Sequence, residues 1–168
     1  ASMLTPTALN AISLLPKPVP LNEMPLFHSL SQKWHILFIG YTHCPDVCPT
    51  TLAKLKQVLL KLGAYDNLDV LFLTADPEHD TSLVLADFLK TYEMPLFYGL
   101  SGDPKEVHDT IQNLGLYASP LNEKNELSHQ GTLLIINPQG EWIGIMSNHT
   151  SLEDMVHDME IIQGKRSA

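Results

Sequence analysis

Arginine is all but missing from this chain. Of ten basic residues only Arg166, near the C-terminal end, is an arginine. Any chemistry that needs a buried guanidinium to clamp phosphate, carboxylate or peroxide is thereby poorly served. Cysteine is scarce too: there are two, Cys44 and Cys48, too few for a disulfide framework or a four-thiolate zinc site. No apolar run approaches the ~20 residues of a membrane span, and no basic-then-apolar leader opens the sequence. Net charge is −9, which excludes nucleic acid as an expected partner and reads as a solvated acidic surface. There are no repeats and no low-complexity segments. Apolar residues make up 44% of 168, enough for one domain with its own core and too many for wholesale disorder.

Residues 1–24 contain Pro6, Pro16, Pro18 and Pro20 and no clean periodicity. They are expected to form an arm or tether, with the folded domain over 25–168. Pro25 to Leu30 reads as a short edge strand. Trp34 to Tyr41 is a continuous apolar run that suits a strand buried on both faces. From Pro49, Leu52, Leu55, Leu59 and Leu62 recur at helical spacing up to Gly63. Asp69 to Ala75 is a second buried strand. Thr81 to Tyr92 is a helix with Leu83, Leu85, Phe88 and Leu89 as its apolar positions. Pro95 to Leu100 is a short strand, and Asp103-Pro104 starts a helix with Val107, Ile111 and Leu114 inside. Residues 117–131 form a loop. Thr132 to Ile136 and Glu141 to Ile145 flank Asn-Pro-Gln-Gly as a hairpin, and Leu152 to Ile162 is a closing helix. This order, βαβα followed by αββα, is an α/β arrangement on the thioredoxin-like plan: a central mixed sheet flanked by helices, with the dithiol at the start of the first core helix.

The cysteines stand in Tyr41-Thr-His-Cys-Pro-Asp-Val-Cys-Pro-Thr-Thr51, between the first central strand and its helix. Sites in open α/β sheets form there, beyond the carboxyl ends of strands. Pro49 disfavours helical geometry at Cys48, so the stretch 45–48 reads as a tight turn with the helix starting near Pro49. The helix N-terminus favours thiolate, the form that binds metal and attacks disulfides. A disulfide staple across so short a loop would constrain the unfolded chain by only ~2 kcal/mol. Two active readings stand. In one, the pair cycles between dithiol and disulfide, although the usual spacing for that is C-x-x-C. In the other, two thiolates hold a soft ion such as Cu(I) with a third ligand from elsewhere.

Structural zinc would need a close histidine pair, and no H-x₃₋₅-H spacing occurs. His43 adjoins Cys44, but adjacent side chains on an extended stretch point apart. His79, in Asp76-Pro-Glu-His-Asp80, lies at the same sheet edge as the dithiol. His129 lies just before the Thr132 strand, the segment that abuts the dithiol in thioredoxin-like folds. Gly131 takes the place of the cis-proline typical there.

Phe38 to Leu52, Leu73 to Thr81 and Phe97-Tyr-Gly-Leu-Ser-Gly102 together resemble the signatures of the Sco/SenC family of copper metallochaperones, over about residues 34–145. The resemblance implies copper, as Cu(I) or Cu(II), held by Cys44, Cys48 and His129. It implies assembly of the dinuclear copper site of cytochrome c oxidase, with the copper-accepting oxidase subunit and a thiol reductant as partners. It also implies an extracytoplasmic domain, in the bacterial periplasm or the mitochondrial intermembrane space, tethered to the inner membrane through a segment missing from this chain. The family often has Asp-His-Ser where this chain has Ser128-His129-Gln130. Asp76 matches a family aspartate near the site, and a cap in an Asp-Pro turn is its alternative role. The competing function is thiol–disulfide exchange by Cys44 and Cys48 on cysteines of the oxidase or of other copper proteins. A peroxidase on the same fold would need an arginine and a threonine three residues before the reactive cysteine. Tyr41 and Pro45 stand in those places.

Overall fold

A computed structural model describes residues 8–43, 47–63, 67–115 and 131–165, without the side chains of Val47 and Cys48. In chain order the elements are β1 (Ser13–Pro20), β2 (Trp34–Gly40), α1 (Val47–Leu62), β3 (Leu68–Thr74), α2 (Ser82–Lys90), β4 (Phe97–Leu100), α3 (Pro104–Asn113), β5 (Thr132–Ile136), β6 (Glu141–Ser147) and α4 (Leu152–Ile162). The strands form one sheet in the order β1-β6-β5-β2-β3-β4. β2, β3 and β4 run parallel, while β5 is antiparallel to β2 and the hairpin partner β6 and then β1 continue the antiparallel half.

The unbroken apolar runs of β2 and β3 follow from helices on both faces, since alternate residues go to opposite layers. Ile36, Phe38, Val70, Phe72, Leu133 and Ile135 meet Leu52, Leu55 and Leu59 of α1, Leu85 of α2, and Met155 and Met159 of α4. Their neighbours Leu37, Ile39, Leu71, Leu73, Leu134 and Ile136 meet Val107 and Ile111 of α3 together with Leu21 and Phe27. The Phe38 and Phe72 rings pack edge to face at 5.7 Å, a favoured aromatic geometry. Three helices begin on side-chain caps: Thr81 accepts from Val84 N, Asp103 from Glu106 N and Ser151 from Asp154 N. Each satisfies an otherwise orphan N–H.

Four expectations are corrected. The arm expected over residues 1–24 is, from residue 8 onward, part of the fold. Leu9, Ile12 and Leu21 are buried, and β1 pairs with β6 along the sheet edge. Proline is tolerated there because an edge strand can do without some of its donors. Its anchor is distant in sequence: the Asp158 carboxylate on α4 accepts from Asn10 N, Ala11 N and Ile12 N at 2.8, 2.7 and 2.8 Å. Pro25–Phe27 is a turn of 3₁₀-helix, not a strand; the turn seats Phe27 in the core. In α2, Leu83 is 79% exposed, and the inner face is carried by Leu85 and Leu89, one turn apart. Finally, α1 starts at Val47, so Cys48 belongs to its first turn. Pro49 is accommodated because first-turn N–H groups have no helical partner.

At the amino ends of β2 and β3, His35 is 2% exposed. Its Nε2 stands 3.3 Å from Ser31 Oγ and 3.7 Å from Asp69 Oδ2, and Lys33 pairs with the same Asp69. Burial pushes the His35 pKa below its usual 6.5, outweighing the pull of Asp69, with Lys33 adding to the fall. A histidine kept neutral in the native state stabilises the fold only while the unfolded chain is neutral too. Stability should therefore fall as pH drops below about 6.5, with a limiting slope of about 1.4 kcal/mol per pH unit for one proton. Urea unfolding at pH values either side of 6.5 checks this. The acid loss should shrink in His35→Gln, and an equal loss in both proteins would assign it to other groups.

Candidate metal centre

The carboxyl ends of β2 and β3 lead into the two segments that sequence reasoning singled out. β2 runs into Tyr41-Thr-His-Cys, and α1 begins three residues after Cys44, with Cys48 as its second residue. A cysteine at a helix N-terminus sits against unpaired N–H groups and the positive end of the dipole, which favours thiolate. Cys44, His129 and the Cys48 side chain lie outside the described residues. What is described is the frame around them.

β5 reaches this edge from the other direction. Leu133 stands opposite Phe38 in the antiparallel register, so Gly131, two residues after His129, precedes β5 at the end where β2 gives way to the cysteine segment. Asn148, just after β6, ties the two sides together. Its main-chain N–H donates to Gly131 O at 2.8 Å, and its side-chain Nδ2 donates to Thr51 Oγ1 at 3.2 Å inside the protein. Thr51 lies three residues beyond Cys48, nearly one helical turn. Lys54, one turn further along α1, donates to the carbonyls of Asn148 and Thr150, both at 2.8 Å. A Cβ on Gly131 would stand 3.2 Å from Asn148 Oδ1, so the small residue lets this turn close against the β5 start. No peptide bond among the described residues is cis.

The other side of the edge is organised by Asp80, a residue with no accessible surface. Its carboxylate accepts from Thr42 N (2.9 Å), from the Thr42 hydroxyl and from Thr74 Oγ1 (2.9 Å). It also faces His79 Nδ1 at 2.9 Å. Burial pushes the Asp80 carboxyl up, but the hydrogen bonds from Thr42, His79 and Thr74 outweigh it and hold the group below the usual carboxylate range. Ser101 Oγ donates to Asp80 O at 2.6 Å, linking β4 to the same turn. Asp76 acts here through its main chain. Its N–H donates to Thr74 Oγ1 and its carbonyl accepts from His79 N and Asp80 N, which is turn geometry.

Sequence reasoning placed His79 at this edge and turned His43 away. The structure brings them together: His43 Nε2 lies 2.7 Å from His79 Nε2, with ring centroids 4.0 Å apart. Asp80 and Asn148 were missed. The available signal was polar character where strands end, Thr74 closing the apolar run of β3 and Asn148 following β6. Among the described residues no cluster of three or more His, Cys, Asp or Glu side chains is arranged to hold a metal.

A parallel β2–β3–β4 strip, an antiparallel β5–β6 hairpin, helices on both faces and a cysteine in the first turn of the helix after β2 define a thioredoxin-like protein. The SCO1/SenC family profile matches residues 27–163, and the chain belongs to that family. A Stutzerimonas stutzeri protein provisionally named as copper-binding is 36% identical over 129 residues, covering 73% of this chain and 63% of its own length. The mouse mitochondrial protein SCO2 homolog is 31% identical over 134 residues, covering 76% and 52%. The structure of Bradyrhizobium japonicum ScoI with copper bound superposes with a TM-score of 0.66 at 30% identity, covering 79% of this chain and 87% of that one. The chain spans between about half and 63% of the length of these two sequence relatives. Among the described residues no helix is long and apolar enough to cross a membrane.

Proposed function

We propose that this chain is a copper metallochaperone, with copper as its cargo, held by the thiolates of Cys44 and Cys48 and the imidazole of His129. The observation that carries the reading is the Asn148 bridge: it joins α1, one turn past Cys48, to Gly131, two residues past His129. A soft donor set of two thiolates and one imidazole suits Cu(I), and family membership with a copper-bound relative supports copper as the metal. Low coordination near the protein surface leaves room for an acceptor's ligands to enter and take the ion. The acceptor is the dinuclear copper site of cytochrome c oxidase, reached from an extracytoplasmic position through a membrane tether. A thiol reductant keeps the pair reduced, because the disulfide offers no thiolate to the metal.

Anaerobic titration of the reduced protein with Cu(I) against a competing chelator tests this. One tight equivalent is expected, weakened by at least about tenfold in Cys44→Ala, Cys48→Ala and His129→Ala. Binding indifferent to His129 would remove the ligand assignment. Weak binding by the unmodified chain would make disulfide exchange by Cys44 and Cys48 the better account.

A further inference from the structure

His79 is arranged as metal-binding histidines are. One ring nitrogen, Nδ1, is 2.9 Å from Asp80 Oδ1. Asp80 has no accessible surface, and its remaining acceptor capacity is taken by Thr42 and Thr74. An ionised carboxylate only accepts, so Nδ1 carries the proton and a neutral His79 presents an Nε2 lone pair outward. A carboxylate that fixes tautomer and ring direction from behind is the usual support of a ligating imidazole. The His79 side chain is 49% exposed, so an incoming ion can reach the ring from solvent.

That lone pair meets a second imidazole. His43 Nε2 is 2.7 Å away, with the ring planes tilted by 58°. With His79 Nε2 unprotonated, the contact is a hydrogen bond donated by His43 Nε2–H. The separation is also that of two cis ligands. Metal–imidazole distances of about 2.0 Å at a right angle put the nitrogens about 2.8 Å apart. To ligate, His43 has only to move its proton to Nδ1 and swing its ring so that both lone pairs converge. His43 is exposed and leaves no cavity when it turns.

We propose that His43 and His79 form a second metal site, a two-imidazole site for Cu(II) at the lip of the cysteine segment, with solvent completing a tetragonal shell. The geometry stands without the thiolates; the choice of copper among imidazole-seeking ions rests on the proposed function. Because His43 adjoins Cys44 in sequence, an ion caught there is one residue from the first thiolate.

The test uses the whole chain carrying Cys44→Ser, Cys48→Ser and His129→Ala, so that the thiolate set is gone. Cu(II) is titrated in and followed by electron paramagnetic resonance. One equivalent with a tetragonal signal and hyperfine structure from two nitrogens is expected. Adding His79→Ala or His43→Ala should weaken it by at least about tenfold, and adding His108→Ala should leave it unchanged. His79 and His43 are both exposed, so retained circular dichroism shows that the loss is not unfolding. No stoichiometric Cu(II) signal, or one indifferent to His79, overturns the site. The outcome is separable from the thiolate reading, because the Cu(I) titration above depends on Cys44, Cys48 and His129 whether or not this pair binds.

Discussion

Asp158→Ala lowers the free energy of unfolding by at least about 1–3 kcal/mol, the cost of a buried donor left without its acceptor, and releases the N-terminal strand. The Asp158 side chain has no accessible surface. It accepts from three consecutive main-chain N–H groups, those of Asn10, Ala11 and Ile12, and lies 2.7 Å from His157 Nδ1. Alanine leaves those donors without a partner, at about 1–3 kcal/mol for each that stays buried. The chain relieves that by letting go, which gives up the packing of Leu9 and Ile12 and loosens β1 on β6. Urea unfolding reads the first effect and amide exchange over residues 9–20 the second. A loss below about 1 kcal/mol with unchanged protection of β1 would refute the anchoring role. The same carboxyl sets an acid limit. Burial pushes its pKa up, but the N–H groups of Asn10 and Ile12, His157 and Ala11 N–H together hold it below 3.8. Its contribution is therefore complete above about pH 3.8 and is lost as pH falls through the lower native value. Asp158→Asn should show a shallower acid limb.

The second large effect is expected at Asp80. Asp80→Ala should cost about 1–3 kcal/mol for each buried donor left without a partner and should also weaken Cu(I) binding, although Asp80 is not a proposed ligand. Its carboxylate pins both the main chain and the hydroxyl of Thr42, two residues before Cys44, and the hydroxyl of Thr74 at the end of β3. Without it the strand-to-cysteine turn loses its internal template. Second-sphere changes of this kind typically cost 10–100-fold in metal affinity, so about that loss is expected in the chelator competition. If the alanine variant does not fold, Asp80→Asn carries the measurement: it keeps one oxygen acceptor for Thr42 or Thr74 and loses the charge. Cu(I) affinity equal to that of the unmodified chain in a folded Asp80→Asn protein would confine Asp80 to a purely structural role.

What could be read from the sequence was whatever depends on near neighbours. β2 and β3 announce themselves as apolar runs because both faces are covered. α4 spans Leu152–Ile162 as expected because Ser151 caps it and the apolar spacing runs to the end. α3 starts at Pro104 because Asp103 before a proline is a strong local signal. What was illegible depends on partners far along the chain. Pro16, Pro18 and Pro20 make β1 look like a tether; it is a strand because Asp158, some 147 residues away, grips the segment before it. The extended reading of Thr42-His43 turned His43 away from its neighbours, whereas the Asp80–Thr42 bonds hold the turn in which it meets His79. Asp76 drew attention as the aspartate of an Asp-Pro pair, but the buried centre of that turn is Asp80, whose importance shows only once Thr42 and Thr74 converge on it. The cysteines stood out in the sequence by their placement alone, while the proposal of His129 as their third partner rests on the family signature.

The same prolines have a consequence for behaviour at high concentration. A β-sheet invites growth at its open margins, where unpaired N–H and C=O groups can template another chain. One margin of this sheet is β1, in which three of eight residues, Pro16, Pro18 and Pro20, have no N–H, and whose register on β6 is interrupted between Leu14 and Val19. The other margin is β4, only four residues long. Neither offers a continuous ladder to an incoming strand. The fold is thereby shielded from strand-by-strand polymerisation, and Pro16→Thr together with Pro18→Thr would extend the very ladder that the native sequence withholds.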